Sequence, residues 1–358
     1  MTPIVSVLLP MYGGAPYLRQ TLDGLMAQSF RDFELIAVND ASPDDSREML
    51  LSYRDPRITL IDNPVNVGQT ASMQRALEHA RGCYIARQDQ DDVSLPERFE
   101  RQVQYLENRP DIGALGTDHC VIDEHAAPVR GMRTSYPEET VAEMEWRLLC
   151  TDRLVDSTVM FRTDVARRIG GFDLRYRYAQ DFDLWARFSF TTGVARLRRV
   201  LLQLRIHRSS ASVKYSAAQA LEVAGIVQRN LNHVLSEPID LATASTVHRV
   251  LSEDPSQSDR ADVWRCVCVL ESTLDPYCSQ RRLGRRDRIS VAAAYSETLV
   301  KLGLRHRRTL GATVPALMAK AGKESPALFL RPATLARWWE QGRQSRAYRA
   351  AVRSLSSK

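Results

Sequence analysis

The chain has 358 residues, 44% of them hydrophobic and 26% charged. That is an ordinary balance for a globular protein, and the length exceeds what one core usually fills, so a large domain with an annex is expected. No stretch reaches the ~18 apolar residues needed to span a bilayer. Met1 to Pro10 also lacks the basic start and small-residue cleavage site of a signal peptide, so residence in the cytoplasm, or on the inner face of the cell membrane, is the expectation. The net charge of +6 is lopsided: from Arg281 to Lys358 there are 18 Lys and Arg against 4 Asp and Glu, a net of +14 that leaves −8 for the rest. Such asymmetry points to an anionic partner for the tail, with a solvated basic face as the alternative. The six cysteines are scattered, and Cys266, Cys268 and Cys278 do not have the spacing of a zinc site.

In chain order, Val5 to Pro10 (VSVLLP) is an unbroken apolar run, as expected of a strand covered on both faces. Ala15 to Gln28 has helical spacing at Leu18, Leu22, Leu25 and Met26. Phe33 to Val38 is a second strand ending at Asn39-Asp40. Pro43 to Tyr53 is a short helix opened by Ser42. Ile58 to Ile61 and Cys83 to Arg87 are strands on either side of a helix at Gln69 to Ala80. A helix at Pro96 to Asn108 and a strand at Ile112 to Gly116 follow. Strands alternating with helices at this spacing define βαβ units and a mostly parallel sheet. In such sheets ligands bind beyond the carboxyl ends of the strands. The polar clusters fall there: Asn39-Asp40, Asn63 to Gly68, and Asp89 to Asp92. After residue 212 the pattern becomes helical, at Ala217 to Leu235, Thr243 to Leu251, Asp262 to Leu274, Ser290 to Leu302 and Thr334 to Leu355.

Arg87 to Asp92 reads RQDQDD. In an extended segment Asp89 and Asp91 point to one side about 7 Å apart. Two such carboxylates suit Mg²⁺ or Mn²⁺ bound together with substrate phosphates, and a solvated acidic turn is the alternative.

Context decides between these. VSVLLP, VNDASPDDS (Val38 to Ser46), NVG (Asn66 to Gly68) and DQDD with LPERFERQ (Leu95 to Gln102) occur in order. STVMFR (Ser157 to Arg162), IGGFD (Ile169 to Asp173), AQDFDLWAR (Ala179 to Arg187) and LRIHRSSAS (Leu204 to Ser212) follow. This series, over roughly residues 4 to 212, resembles the family 2 glycosyltransferases of bacterial type.

The resemblance implies a GT-A fold: a Rossmann-like, mostly parallel sheet flanked by helices. It would occupy residues 1–212 as a nucleotide-sugar glycosyltransferase domain, with 213–358 as a basic helical region. It also implies roles. Asp40 would hydrogen-bond the nucleotide base, and the backbone at Pro10, Met11 and Tyr12 would line the base pocket. The NVG loop, with Asn66 and Gly68, would sit at the donor. Asp89 would contact the ribose or a metal-bound water. Asp91 would hold the metal, and His207 would complete its shell or touch the pyrophosphate. Asp181 would be the catalytic base, with a helix N-terminal aspartate as its structural alternative. The implied reaction is metal-dependent inverting transfer from a nucleotide-sugar, UDP- or dTDP-linked, to a hydroxyl of a glycan or lipid-linked acceptor in cell-surface polysaccharide assembly. The chain departs from the family at Ala41, where a glycine is usual, at Gln180, where Glu often precedes the base, and at Gln74, where Asn is common.

Leu335 to Leu355 can place Trp338, Tyr348, Val352 and Leu355 on one side among arginines, the pattern of a helix on an anionic membrane surface. A helix packed on the catalytic domain is the alternative. A nucleotidyltransferase would also use metal-binding carboxylates on an α/β sheet, but its glycine-rich N-terminal signature is absent. A non-catalytic sugar-nucleotide binder is opposed by the intact Asp40, Asp91 and Asp181. Few aromatics interleave with the basic residues, so nucleic acid is not expected as a partner.

Overall fold

The first strand, β1 (Val5–Met11), is buried at every position, which is why its sequence shows no polar alternation. The computed structural model describes residues 2–129, 132, 138–207, 216–252 and 255–325. The candidate helix at 335–355 lies outside these. The described residues divide into two compact units, one within 2–138 and 154–216 and the other within 139–153 and 217–325.

In the first unit β1 is followed by α1 (Ala15–Met26), β2 (Phe33–Asn39), α2 (Ser46–Leu51), β3 (Ile58–Asp62), α3 (Gln69–His79) and β4 (Tyr84–Arg87). The short β5 (Val93–Ser94), α4 (Arg98–Asn108) and β6 (Ile112–Ile122) come next. The eight strands of the sheet run in the order β3-β2-β1-β4-β7-β6-β8-β5, where β7 is Met160–Arg162 and β8 is Gly193–Arg205. Strands β1 to β4 are mutually parallel. β7 is antiparallel to both β4 and β6, and β6 is parallel to β8. Two reversals therefore restore the original direction, so β8 ends at the same edge of the sheet as β4.

Helix α1 buries Leu18, Leu22 and Leu25, and α4 buries Phe99, Val103 and Leu106, at the spacing of one helical face. Two more helices, α6 (Thr163–Arg168) and α7 (Gln180–Thr191), follow β7. Trp185 and Phe188 of α7 meet Phe161 of β7 edge-on at 5.5 Å each. Contacts of that kind add about 0.5–1.5 kcal/mol beyond burial. They fix α7, and with it Asp181, against the sheet.

The second unit is helical: α5 (Val141–Leu148), α8 (Ser216–Val234), α9 (Leu241–Ser252), α10 (Arg260–Gln280), α11 (Arg285–Arg305), α12 (Arg307–Leu310) and α13 (Val314–Glu324). Trp146 of α5 donates to the Thr273 hydroxyl at 3.0 Å and stands edge-on to Tyr295 at 6.2 Å. α5 and α13 have no counterpart in the helices expected from the sequence. α10 runs six residues past the expected Leu274 and contains Pro276. The proline removes one backbone hydrogen bond, and buried Tyr277 and Cys278 carry the helix on.

Candidate active site

Asp40 follows β2 and is 3% exposed. Its Oδ1 accepts from the Val67 amide at 2.9 Å and from Asn63 Nδ2 at 2.8 Å, and its Oδ2 accepts from the Gly68 amide at 2.8 Å. Asp40 thus holds the NVG loop by its backbone. Gly68 has φ +92°, a left-handed conformation that suits glycine. Asn66 is exposed on the same loop. Ala41 takes φ +56°, so the position where the family uses glycine keeps glycine's conformation, at the strain a Cβ brings. Ser42 does not open a helix: its hydroxyl bonds the Met11 carbonyl at 3.3 Å, and α2 begins only at Ser46.

The strand expected to carry the acids on one side is instead a turn, in which the Asp92 amide bonds the Asp89 carbonyl at 3.4 Å. The acids consequently diverge. Asp89 Oδ1 accepts from Arg87 Nη2 at 2.6 Å and Gln69 Nε2 at 3.0 Å, and its Oδ2 accepts from the Ser157 hydroxyl at 2.7 Å. Asp91 Oδ2 lies 2.8 Å from His207 Nε2. Asp92 is buried, and its Oδ1 accepts from the Arg205 amide at 2.8 Å. Burial, and then the charges of Asp91 and Asp89, push its carboxyl well above the usual range.

His207 reaches Asp91 because it lies two residues beyond β8, at the shared edge of the sheet. Its ring sits 4.6 Å from that of Tyr17. Arg205 ties the two segments: its Nε donates to the Asp91 carbonyl at 2.9 Å and its guanidinium lies over Tyr17.

Several residues that build this site carry no motif of their own. Gln90, the middle of DQD, exchanges two hydrogen bonds with the Tyr12 backbone, at 2.9 and 2.8 Å. The Tyr12 backbone is therefore occupied within the protein, while the residue as a whole is 51% exposed. Gly14 lies beneath Gln90, where an added Cβ would come 2.2 Å from Oε1. Pro10 is a buried strand residue. Arg98, fully buried, donates to Gln88 Oε1, the Ser94 hydroxyl and the Arg87 carbonyl at 2.8–3.0 Å. Burial pushes its guanidinium down to about 9. The signal for Arg98 was its place in LPERFERQ; Gln90 gave none.

Asp181 is in the first turn of α7, and its Oδ1 accepts from the Phe182 amide at 2.8 Å. Its charge acts on Arg87 and on Asp156, so it shares an electrostatic neighbourhood with Asp89. Asp183 is fully buried and paired with Arg187, which also bonds the Ile169 and Gly171 carbonyls. Gln74 accepts from the Phe172 amide at 2.9 Å and so holds the IGGFD loop.

Among the described residues no three His, Cys, Asp or Glu side chains form a ready metal cage. The residues present nonetheless fit a cation that is completed by phosphate oxygens. Asp91 and His207 meet each other directly at 2.8 Å, so a cation there would part this pair and take both as ligands, and it would offset the charges of Asp91 and Asp89 that add to the effect of burial on Asp92.

An open α/β sheet with reversed strand β7 and an acidic turn after β4 is the architecture of the GT-A class, and solved structures of that fold match. The chain is similar to residues 1–349 of Staphylococcus aureus TarS in complex with UDP, at TM-score 0.52 and 15% identity, covering 89% of this chain and 88% of that one. It is similar to the mannosyltransferase PcManGT from Pyrobaculum calidifontis in complex with GDP-Man and Mn²⁺, at TM-score 0.51 and 16% identity over 91% and 88%. Residues 6–170 match the family model described as Glycosyl transferase family 2. In sequence the chain is 36% identical to the putative glycosyltransferase EpsE of Bacillus subtilis (strain 168) over 193 residues, 52% of this chain and 66% of EpsE. It is 27% identical to the uncharacterized glycosyltransferase RP339 of Rickettsia prowazekii over 255 residues, 70% of this chain and 79% of that protein.

Proposed function

We propose that the protein is a metal-dependent, inverting glycosyltransferase that moves a sugar from a UDP- or dTDP-linked donor to a hydroxyl of a glycan or lipid-linked acceptor. The observation that carries this is the convergence of Asp91 on His207 at 2.8 Å, beside the Arg87–Asp89 pair whose field reaches Asp181. Relatives that include the putative glycosyltransferase EpsE support the transfer of a sugar, and a place in cell-surface polysaccharide assembly is part of the proposal.

On this reading the residues divide the work. Asp40 spends three of its roughly four acceptor positions on the NVG loop and Asn63, leaving one for a base N–H. Gln90 holds the Tyr12 backbone flat at the edge of the base pocket. Asp89, fixed by Arg87, Gln69 and Ser157, presents a set carboxylate to the ribose. Asp91 and His207 would hold Mn²⁺ or Mg²⁺, which supplies charge neutralisation to the diphosphate leaving group. Asp181 takes the proton of the acceptor hydroxyl as it attacks the anomeric carbon. Attack from the face opposite the departing diphosphate inverts the configuration.

The test is a panel of nucleotide-sugars, scored by released nucleoside diphosphate with Mn²⁺ or Mg²⁺. EDTA is expected to abolish transfer and added cation to restore it. Asp91→Ala is expected to fold, since a turn acid facing His207 holds no core, and to lose transfer. Full transfer in EDTA after exhaustive dialysis would remove the metal from this reading, and release of pyrophosphate would replace it with nucleotidyl transfer.

A further inference from the structure

Tyr17 stands in the first turn of α1, outside the buried stripe of Leu18, Leu22 and Leu25, and is half-buried. Its ring meets two polar groups. The His207 imidazole lies 4.6 Å away, centroid to centroid, with the planes tilted by 35°. The central carbon of the Arg205 guanidinium lies 4.9 Å from the ring centre. Both distances are those of attractive ring and cation–π contacts. No step described above uses Tyr17.

Arg205 determines where that ring stands. It is 3% exposed and ends β8. Its Nη2 donates to Gln20 Oε1, three residues beyond Tyr17 and so on the same side of α1. Its Nε donates to the Asp91 carbonyl and its Nη1 to the Asp123 carbonyl, each at 2.9 Å. One guanidinium thus ties α1, the acid turn after β4 and the end of β6 to a common point. Its planar fork gives each bond a fixed direction, which a lysine's point charge does not. Asp91 is therefore carried by a turn that Arg205 holds, and His207 is faced by a ring that Arg205 holds.

The two contacts of the imidazole differ in one respect. Asp91 Oδ2 sits on His207 Nε2 at 2.8 Å, and a cation taken between them breaks that contact. The Tyr17 contact is made through the ring and is still present when the pair has parted.

We propose that Tyr17 is a positioning residue for His207: its ring, held in place by Arg205, keeps the imidazole aimed at the cation position, so that a divalent cation meets a ligand already oriented. The inference rests on the reading of Asp91 and His207 as cation ligands. Partners that orient a ligand from behind contribute about 10- to 100-fold to metal affinity.

The experiment titrates the full-length protein with Mn²⁺ alone and reads free Mn²⁺ by electron paramagnetic resonance. Tyr17→Leu removes the flat ring and is expected to raise the Mn²⁺ Kd about 10-fold. Tyr17→Phe keeps the ring and is expected to stay within about 2-fold of wild type. In a His207→Ala background Tyr17→Leu is expected to cost less than about 2-fold, because a residue that acts through another has nothing left to act on. Tyr17→Leu with wild-type affinity overturns the proposal. So does Tyr17→Phe as weak as Tyr17→Leu, which would give the role to the hydroxyl. Equal losses with and without His207 also overturn it, since they mark a general loosening of the site. Should Tyr17→Leu not fold, Tyr17→Met is read in its place, with the same outcomes. Asp91→Ala and His207→Ala test the underlying reading separately: each is expected to weaken Mn²⁺ binding by itself. A wild-type protein that binds no Mn²⁺, or binds it equally well without either side chain, overturns the cation site and this proposal together.

Discussion

Asp181 occupies a helix N-terminus, where an aspartate also has a purely structural use, and its contact with the Phe182 amide is of that kind. Asp181→Asn keeps shape and the capacity to accept from that amide. Turnover is therefore expected to fall by the ~10²–10⁴-fold that general-base catalysis contributes, with donor affinity near wild type, a pattern that marks a transition-state role. Retention of more than about a tenth of wild-type turnover would move the base elsewhere, and Asp183 is a poor substitute because Arg187 holds it in the core. Asp40 is different. With amides of Val67 and Gly68 and the Asn63 side chain all donating to it, an asparagine would turn a donor toward donors. Its loss would disturb the loop as well as any contact with the base. From the sequence Asp40 was legible as a polar residue at a strand end; its duty to the NVG loop required knowing what folds back onto it.

At the scale of elements, the parallel strands and their helices were readable because each is an unbroken apolar run or a one-faced stripe. The ends were less so. α2 starts three residues after the expected Pro43 because Ser42 is drawn to Met11, and the Asp44 carboxylate caps the Ala15 and Ser46 amides instead. α11 shows an element held by charge. Glu297 is mostly buried, which alone would raise its carboxyl, but Arg147 at 2.6 Å and Lys301 at 2.6 Å hold it down to about 2. A carboxyl depressed in the folded state stabilises above its unfolded value of about 4.3 and loses that contribution as pH falls toward 2. Glu297→Gln is expected to lower stability at pH 7 by about 3 kcal/mol. The difference from wild type should vanish by about pH 2 in denaturant titrations. A pH-independent difference would remove the ion pair from the account.

For the whole molecule, the tail beyond the described residues remains the basic segment the composition singled out. If residues 335–355 form an interfacial helix, the protein is expected to co-sediment with anionic vesicles at low salt and to be released as salt screens the arginines. Deletion of 335–358 should abolish binding and leave nucleoside diphosphate release intact. A truncated protein that no longer stays in solution would favour a helix that covers the folded units. No helix among the described residues is long and apolar enough to cross a membrane.

Local sequence determined the βαβ rhythm, the polar ends of β2, β3 and β4, and the run of acids after β4, because these depend on residue pattern within one segment. Tertiary structure decided the rest. His207 meets Asp91 from 116 residues away only because β7 reverses twice between β4 and β6 and returns β8 to the same edge. Arg87, an apparent lead-in to the acids, becomes their buried counter-charge only when the Asp156 turn closes over it. Whether an arginine faces water or two carboxylates is a matter of what packs against it, and no period in its own segment records that.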